Sequence, residues 1–232
     1  MVLPLFLAMN ASELTVSPIP DHTAWMACHF SSWNEGITNI PSSLPPNSML
    51  ILNDRIPCQG HSANLVADQV QDAVNSLGCE SVLLDFQRPD NHETDLIVEA
   101  VLSALPCPVC VSECYARNHN CPILLSPPPL HTPLEEYLQN WSNREIWLEA
   151  ALMQEQITVT KDGINFSRCI PWEGFDGGFP EETLCCRYLT EIEANRIRFT
   201  LFDTAESLEK KLQKAYSLGV TRAIGLYQEL SP

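Results

Sequence analysis

Several polar side chains directly follow short apolar runs, where a fold could bring them together for chemistry. Carboxylates at such positions can act as general acids and bases, and amides, hydroxyls and aromatic rings can orient a ligand. An Asp-Phe-Gln-Arg sequence after Val82-Leu-Leu84 is one concentrated example. The full set of candidates is Asn53, Asp54, Asp85, Gln87, Arg88, Glu113, Ser126, Glu149, Tyr227 and Gln228.

The chain has 10 cysteines, and one group of them could be taken for a metal cluster. Cys107-Pro-Val-Cys110 is followed by Cys114, His119 and Cys121. Structural zinc sites usually carry two short ligand pairs on loops, whereas the middle of this group has the pattern of a strand with Cys110 and Cys114 on one face. We therefore predict structural thiols and no metal or other cofactor, with a metal cluster as the alternative.

Composition excludes several classes of partner. The 232 residues include 13 basic and 29 acidic side chains, a net charge of −16. Phosphate binding requires clustered Lys and Arg, so we expect no nucleic acid, and the same charge disfavours anionic membranes. The apolar run from Val2 to Met9 has no basic residue before it, which does not fit a secretion signal. We predict a cytoplasmic protein that does not enter a membrane.

Strand-like and helix-like segments alternate along the chain. We predict eight parallel strands near residues 3–8, 24–29, 48–54, 81–87, 109–113, 122–126, 146–152 and 222–227. A helix follows Ser62 and ends at Gly78, a second is capped by Asn91 or Thr94, and a short third covers 135–141. Proline-rich loops replace full helices in the N-terminal third. This order predicts an α/β fold, a (β/α)8 TIM barrel formed by residues 1–232 as a single domain.

A β-rich segment interrupts the alternation before the last βα unit. Asp162-Gly163 separates two β-forming runs, which predicts a hairpin within an α+β insertion subdomain at residues 153–202 on the barrel rim. Asp203 and Glu206 have capping-box spacing for the next helix. We predict that this helix buries Leu208, Leu212, Ala215 and Tyr216.

The C-terminal unit resembles a known family. Phe199-Thr-Leu-Phe-Asp203, the following helix, Gly219-Val220 and Ala223-Ile-Gly-Leu-Tyr227 are similar to the end of the family 18 glycoside hydrolases, the chitinase-like and spore-cortex barrels. The resemblance implies a (β/α)8 barrel with an insertion before the last strand, in agreement with the element order. It also implies that Tyr227 is the aromatic floor of a sugar subsite.

The family's catalytic motif on the fourth strand, Asp-x-x-Asp-x-Asp-x-Glu, is degenerate in this chain. The matching segment is Glu80-Ser-Val-Leu83-Leu-Asp85-Phe-Gln87. By this resemblance Asp85 is the acid that orients the substrate's N-acetyl group, Leu83 replaces a second acid, and Gln87 replaces the proton-donating Glu. The Tyr-Asp pair of the sixth strand is also missing. An amide cannot transfer a proton at pH 7, so the resemblance implies that chitinase-type hydrolysis has been lost.

Three functions remain open. The first is a family-18-like barrel that binds a carbohydrate or peptidoglycan-related ligand through the strand-end residues without hydrolysing it. The second is an active glycoside hydrolase with relocated acids, Glu113 and Glu149, whose carboxyls would lie ~5–5.5 Å apart for retention or ~6.5–9.5 Å for inversion. The third is a non-enzymatic interaction protein that uses the hairpin and the loop from Trp172 to Phe179.

Some candidates have a simpler structural interpretation. Asp85 and Arg88 could form an ion pair with no role in binding. The tryptophans could stack on sugar rings, although packing in the core or rim is their more frequent role. These tryptophans are Trp25, Trp33, Trp147 and Trp172.

Overall fold

A computed structural model describes residues 3–15, 18–33, 35–88, 92–168 and 177–231. Its strands are β1 (Leu5–Met9), β2 (Thr23–Phe30), β3 (Ile37–Thr38), β4 (Met49–Asn53), β5 (Ser81–Asp85), β6 (Val109–Ser112), β7 (Ile123–Leu125), β8 (Ile146–Ala150), β9 (Gln154–Thr160), β10 (Gly163–Arg168), β11 (Phe179–Glu181), β12 (Cys186–Glu193), β13 (Arg196–Phe202) and β14 (Val220–Leu226). Its α-helices are α1 (Ala63–Leu77), α2 (His92–Ala104), α3 (Leu134–Gln139), α4 (Ala205–Ser217) and α5 (Tyr227–Leu230).

Eight parallel strands close into a barrel. Their order is β1-β14-β8-β7-β6-β5-β4-β2, and β1 pairs with β2 to complete the circle. All eight predicted strands are present, so the (β/α)8 prediction is confirmed. Parallel strands are covered on both faces, so their residues form nearly continuous apolar runs, and the run Met49-Leu-Ile-Leu follows this rule.

Alternate residues of the strands fill the barrel interior. Met49, Leu83, Cys110, Trp147 and Ile224 belong to this inner cluster. The intervening residues point outward and join the larger cluster beneath the helices. At the amino-terminal end of the barrel, the Arg222 guanidinium lies 4.7 Å from the centre of the Trp147 ring. It also pairs with Glu80 at 3.2 Å.

The predicted caps of the connecting helix α1 are confirmed, whereas one of the two caps predicted for α2 is wrong. The Ser62 side chain caps α1 and Gly78 closes it with φ +67°, as predicted. The helix α2 begins at His92, so Thr94 lies inside it and does not cap it, while Asn91 lies outside the described residues. Only 3-10 turns occur in the described parts of the β1–β2 and β6–β7 connections. No described helix is long and apolar enough to cross a membrane.

Strands β9 to β13 form a separate antiparallel sheet, called here the insertion sheet. Its order is β10-β9-β13-β12-β11. The predicted hairpin is present, with Thr160 paired to Gly163 and Ile164 paired to Val159. Strands β11 and β12 were not predicted from the sequence.

The helix α4 begins differently from the prediction. Thr204 is the N-cap, and the capping box joins it to Ser207, so the box predicted at Asp203 and Glu206 is wrong. Asp203 is instead fully buried and binds the Lys211 ammonium through both carboxylate oxygens at 2.8 Å. Leu208 and Ala215 are buried as predicted, but Tyr216 is exposed.

Candidate functional site

The carboxyl ends of the barrel strands enclose two adjoining cavities. The mouth cavity has a volume of about 550 Å³ and lies above the interior residues Ile51, Leu83 and Ile224. The side cleft, of about 590 Å³, lies beside it over β5 to β8. Both are lined by Gln87, Leu124 and Glu149.

The polar lining is rich in amides and carboxylates, with few cations. In the mouth cavity it consists of Asn10, His29, Asn39, Asn53, Arg55, Asp85, Gln87 and Glu149. In the side cleft it consists of Gln87, Ser112, Glu113, Cys114, Arg117, Asn118, Ser126 and Glu149, beside Trp141. Such a surface offers both donors and acceptors to a neutral polar ligand.

Asp85 and Gln87 are joined directly at the border of the two cavities. Both continue the inward-facing parity of Leu83 at the end of β5. The Gln87 side-chain amide donates to the Asp85 carboxylate at 2.5 Å. The Ser112 hydroxyl donates to the same carboxylate oxygen at 3.3 Å. The Asp85 carboxylate therefore accepts from an amide and a hydroxyl, neither of which transfers a proton at pH 7.

Leu83 lies directly beneath this group. Its side chain is 2% exposed within the inner cluster. A carboxyl at this position would share a proton with Asp85, and an isobutyl group cannot. The described structure thus supplies Asp85 with polar partners only from the Gln87 and Ser112 side.

Asp54 and Arg88 hold the loops that rim the mouth cavity. The buried Asp54 carboxylate accepts the backbone N–H groups of Gln87 and Arg88 at 3.1 and 2.8 Å. The Arg88 guanidinium donates to the carbonyls of Asp54 and Arg55. The possible Asp85–Arg88 ion pair is therefore not formed, because Arg88 extends along the β4 loop. These two residues position Gln87 through its backbone.

Asn53 has a similar bracing contact. Its side-chain amide donates to the carbonyls of Met26 and Cys28 at 2.9 Å each. The register of β2 against β4 shifts between Trp25 and Cys28, so these two carbonyls lie at an irregularity of the strand. Asn53 therefore stabilises the bulge in β2, and its side chain also borders the mouth cavity.

The two candidate relocated acids both reach the site. Glu149 follows Trp147 at the same parity on β8, so it faces inward and lines both cavities. Glu113 starts the 3-10 turn after β6 and lines the side cleft. Neither side chain is directed away from the barrel top, so the hypothesis of relocated acids remains open.

The last strand places its end residues differently from the expectation. Ile224 faces inward, and by alternation Leu226 follows it and lines the mouth cavity. Tyr227 has the opposite parity and begins α5, and neither Tyr227 nor Gln228 is among the lining residues of the two cavities. Ser126 lines the side cleft, and its carbonyl accepts the Tyr137 hydroxyl at 2.9 Å.

Two of the four tryptophans named from the sequence are structural. Trp25 and Trp147 are buried in the core, which prevents them from stacking on a ligand, and Trp33 is highly exposed. Trp172 lies outside the described residues, as does most of its loop up to residue 176. Among the described tryptophans, Trp141, which follows α3, lines the side cleft.

The mouth cavity also contains residues that sequence reasoning missed. His29 lies at the end of β2, and its Nδ1 is 2.7 Å from the Phe30 carbonyl. A carbonyl only accepts, so Nδ1 carries the proton, and Nε2 accepts from the Asn39 amide at 2.8 Å. The strand-end rule would have found His29 and Asn10 had it been applied to β1 and β2. Trp141 follows a helix, and Asn39 follows the two-residue strand β3, which the sequence did not predict, so neither had such a signal.

The cysteines are dispersed. Cys110 is buried inside the barrel, while Cys114 follows the end of β6 and donates to the Phe86 carbonyl at 2.9 Å, so they do not share a strand face. Burial raises the pKa of Cys28 to about 12, and burial with the neighbouring Cys107 raises that of Cys79 to about 11. Among the described residues no group of three or more His, Cys, Asp or Glu side chains could hold a metal ion.

Comparison with known proteins gives the fold. No protein-family model and no curated protein matches the sequence. The structure is similar to the spore cortex-lytic enzyme SleL of Bacillus cereus, with a TM-score of 0.56 and 10% identity over 96% of this chain and 70% of that one. It is similar to the family 18 N-acetylglucosaminidase of Paenibacillus barengoltzii, with a TM-score of 0.55 and 10% identity over 96% and 94%.

A third similar structure contains a sugar. It is a family 18 chitinase of Cycas revoluta, a double variant with one Glu-to-Gln substitution, in complex with (GlcNAc)4. The TM-score is 0.55, with 9% identity over 96% of this chain and 94% of that one. These likenesses establish that the chain has the glycosidase-like (β/α)8 fold of the family 18 glycoside hydrolases.

Proposed function

We propose that the mouth cavity and side cleft bind a carbohydrate, either an N-acetylated or a peptidoglycan-related glycan, without chitinase-type hydrolysis. The observation that carries this proposal is the contact between the Gln87 amide and the Asp85 carboxylate at 2.5 Å. At the position where the resemblance calls for a proton-donating acid, the chain has a donor that can orient a ligand but cannot protonate it.

The surroundings of Asp85 support the same conclusion. General acid catalysis contributes roughly 10²–10⁴-fold to a reaction of this kind. Leu83 supplies no second carboxyl below Asp85, so a proton cannot reach it from the interior side. The proposal therefore assigns Asp85 and Gln87 to ligand orientation.

The shape and composition of the cavities favour a sugar. Volumes of about 550 and 590 Å³ each suit a small ligand, and together they suit more than one sugar ring. Amides and carboxylates can bond to sugar hydroxyls, and Trp141 offers an aromatic surface in the side cleft. A family 18 chitinase with the same fold and a Glu-to-Gln substitution is solved in complex with (GlcNAc)4, which supports a sugar as the class of ligand.

The test measures binding and hydrolysis separately. Titration calorimetry with chito-oligosaccharides and soluble muropeptides should give saturable binding, weakened at least tenfold by Asp85→Ala, since a charge-assisted hydrogen bond contributes about 1.5–3 kcal/mol. Product release at enzyme excess should be undetectable. Gln87→Glu restores a side chain that can donate a proton, so hydrolysis appearing in this variant would support the proposal. Gln139→Glu, an exposed change on α3 away from both cavities, is its control and should leave hydrolysis undetectable. Absence of binding, or turnover that survives both Asp85→Ala and Gln87→Ala, would exclude the proposal.

A second candidate is an active glycoside hydrolase with relocated acids. The orientation of Glu149 into both cavities favours it, and Glu113 in the side cleft could be the partner. This mechanism predicts hydrolysis by the wild type, loss of at least two orders of magnitude in Glu149→Gln, and little effect of Gln87→Ala.

A further inference from the structure

One face of the insertion sheet is apolar up to its outer end. The strand register places Ile164, Val159, Ile197 and Ile192 side by side across β10, β9, β13 and β12. Ile164 is 62% exposed, Ile197 37% and Ile192 79%. These four side chains form a row roughly 14 Å wide at the usual strand spacing of about 4.8 Å. We call this row, together with Phe166 and Phe179, the outer apolar face.

The two phenylalanines extend this surface toward the barrel. Phe166 is in the next row of the same face and is 52% exposed, and Phe179 on β11 is 64% exposed. The opposite face of the sheet is polar and has its own partners, including the pair Glu191–Arg198 at 2.7 Å. One face of the sheet is therefore apolar and the other polar. An apolar face is expected to be buried against another surface.

The barrel covers only the inner part of that side. Leu201 and Cys186 are buried there against Leu130 and Met153. The His131 ring stacks on Phe166 at 4.5 Å between ring centres. Beyond this contact the row of aliphatic residues extends past the barrel, so the outer apolar face continues directly from a buried junction.

We propose that the outer apolar face docks on the same face of a second copy of this chain, with the two insertion sheets packed face to face. The five most exposed side chains present on the order of 600 Å², which approaches the ~800 Å² per partner of a standard interface. The largest apolar patch on an ordinary monomer covers about 300–600 Å², so the outer apolar face lies at the upper end of that range. Face-to-face sheets pack about 10 Å apart and bury such rows completely.

A second copy of this chain can cover the outer apolar face without burying a charged side chain. The net charge of −16 disfavours an anionic membrane surface. The outer apolar face contains only Val, Ile and Phe side chains. A two-fold axis through it brings no like charges together at the centre, while charges at the periphery are screened within a Debye length of about 8 Å.

The proposal is tested by sedimentation equilibrium of the full chain between 1 and 100 µM at 0.15 M salt. The expected result is a reversible rise in mass from 26.0 kDa toward twice that value. Ile164→Lys and Ile192→Lys should each raise the dissociation constant at least tenfold. Asn165→Lys is the matched control, because it adds the same charge to the same strand on the opposite, polar face.

The outcomes separate clearly. A monomer across the whole concentration range, or association that Asn165→Lys weakens as much as Ile164→Lys does, would overturn the proposal. Open-ended aggregation, or a monomer that floats with phosphatidylcholine vesicles, would overturn it as well. Thermal melting confirms that each variant is folded, which the high exposure of Ile192 makes the expected result.

Discussion

Lys211→Met should destabilise the protein strongly at neutral pH. Lys211 lies on α4, its side chain is 6% exposed, and its ammonium binds both oxygens of the fully buried Asp203 carboxylate at 2.8 Å. Asp203 directly follows β13, so this pair connects the insertion sheet to the barrel. Methionine has a similar length and no charge, so the substitution removes the ion pair while it keeps most of the packing.

The size of the destabilisation follows from the contacts that Asp203 keeps when Lys211 is replaced. Asp203 keeps contacts of 3.2 Å with the Ser207 hydroxyl and the Met153 N–H, but it loses its neutralising charge. Breaking a buried pair on one side costs about 3–5 kcal/mol. At about 2–4 °C per kcal/mol for a chain of this size, the melting temperature should fall by roughly 6–20 °C. Lys214→Met is the control, since Lys214 pairs with the exposed Glu135 and its loss should leave the melting temperature nearly unchanged.

The loss of stability caused by Lys211→Met should depend on pH. Burial raises the pKa of Asp203, and the Lys211 charge lowers it by less. A raised pKa in the folded state means that the stability contributed by this group is complete below the unfolded pKa of about 3.9 and is lost as pH rises through the folded value. Removing Lys211 raises the pKa further. The difference in free energy of unfolding between wild type and variant should therefore be largest at pH 7 and shrink as the pH falls to 5 and below.

Urea denaturation at pH 7 and pH 5 measures this difference. Asp203→Asn combined with Lys211→Met should recover part of the lost stability, because the uncompensated charge is then absent. A loss below about 1 kcal/mol at pH 7, or a loss that does not change with pH, would show that Asp203 is not held as a buried carboxylate.

Two substitutions in the barrel and one labelling experiment on two buried thiols give three further tests. Gly225→Ala should lower the free energy of unfolding by about 1–3 kcal/mol in thermal melts, because a Cβ there would lie 2.5 Å from the Ala150 carbonyl oxygen on β8; a neutral effect would contradict this close approach. Asn53→Ala should lower the free energy of unfolding by about 1–3 kcal/mol in urea, since it removes the amide that donates to two carbonyls of the β2 bulge; unchanged stability would show that the bulge does not need the amide. Burial raises the pKa of Cys28 and Cys186 to about 12, so both thiols should react with a disulfide reagent at pH 8 only as fast as the chain unfolds; labelling at the rate of a small free thiol would refute their burial.

The barrel strands were predictable because burial on both faces leaves uninterrupted apolar runs. In the insertion sheet the hairpin was predictable from its Asp162-Gly163 turn and β13 from its run of β-forming residues. The strand β12 was missed because Thr190 lies on its apolar face and Leu189 on its polar face, which obscures the alternation. The cap of α4 was missed for a different reason. Asp203 and Thr204 are both good N-caps, and the choice between them depends on Lys211, two helical turns away.

The sequence predicted that the candidate site lies at the strand ends, but it did not predict which residues of each strand face inward. Once Leu83 and Ile224 are known to face inward, alternation places Asp85 at the mouth cavity and favours Leu226 over Tyr227. The sequence does not supply that starting point, because a strand that is apolar on both faces has no alternating pattern to reveal its parity.

The roles of the loop residues depend on backbone geometry that no side-chain pattern encodes. Asp54 and Arg88 have side chains suited to binding a ligand, yet in the structure both are engaged by the backbone of the β4 and β5 loops. This arrangement fixes the backbone of Gln87 at two points, so the Gln87 amide is held against Asp85 by groups that a ligand does not need to contact. Substitution of Asp54 should therefore alter ligand orientation through Gln87, whereas substitution of Asp85 should remove a direct contact.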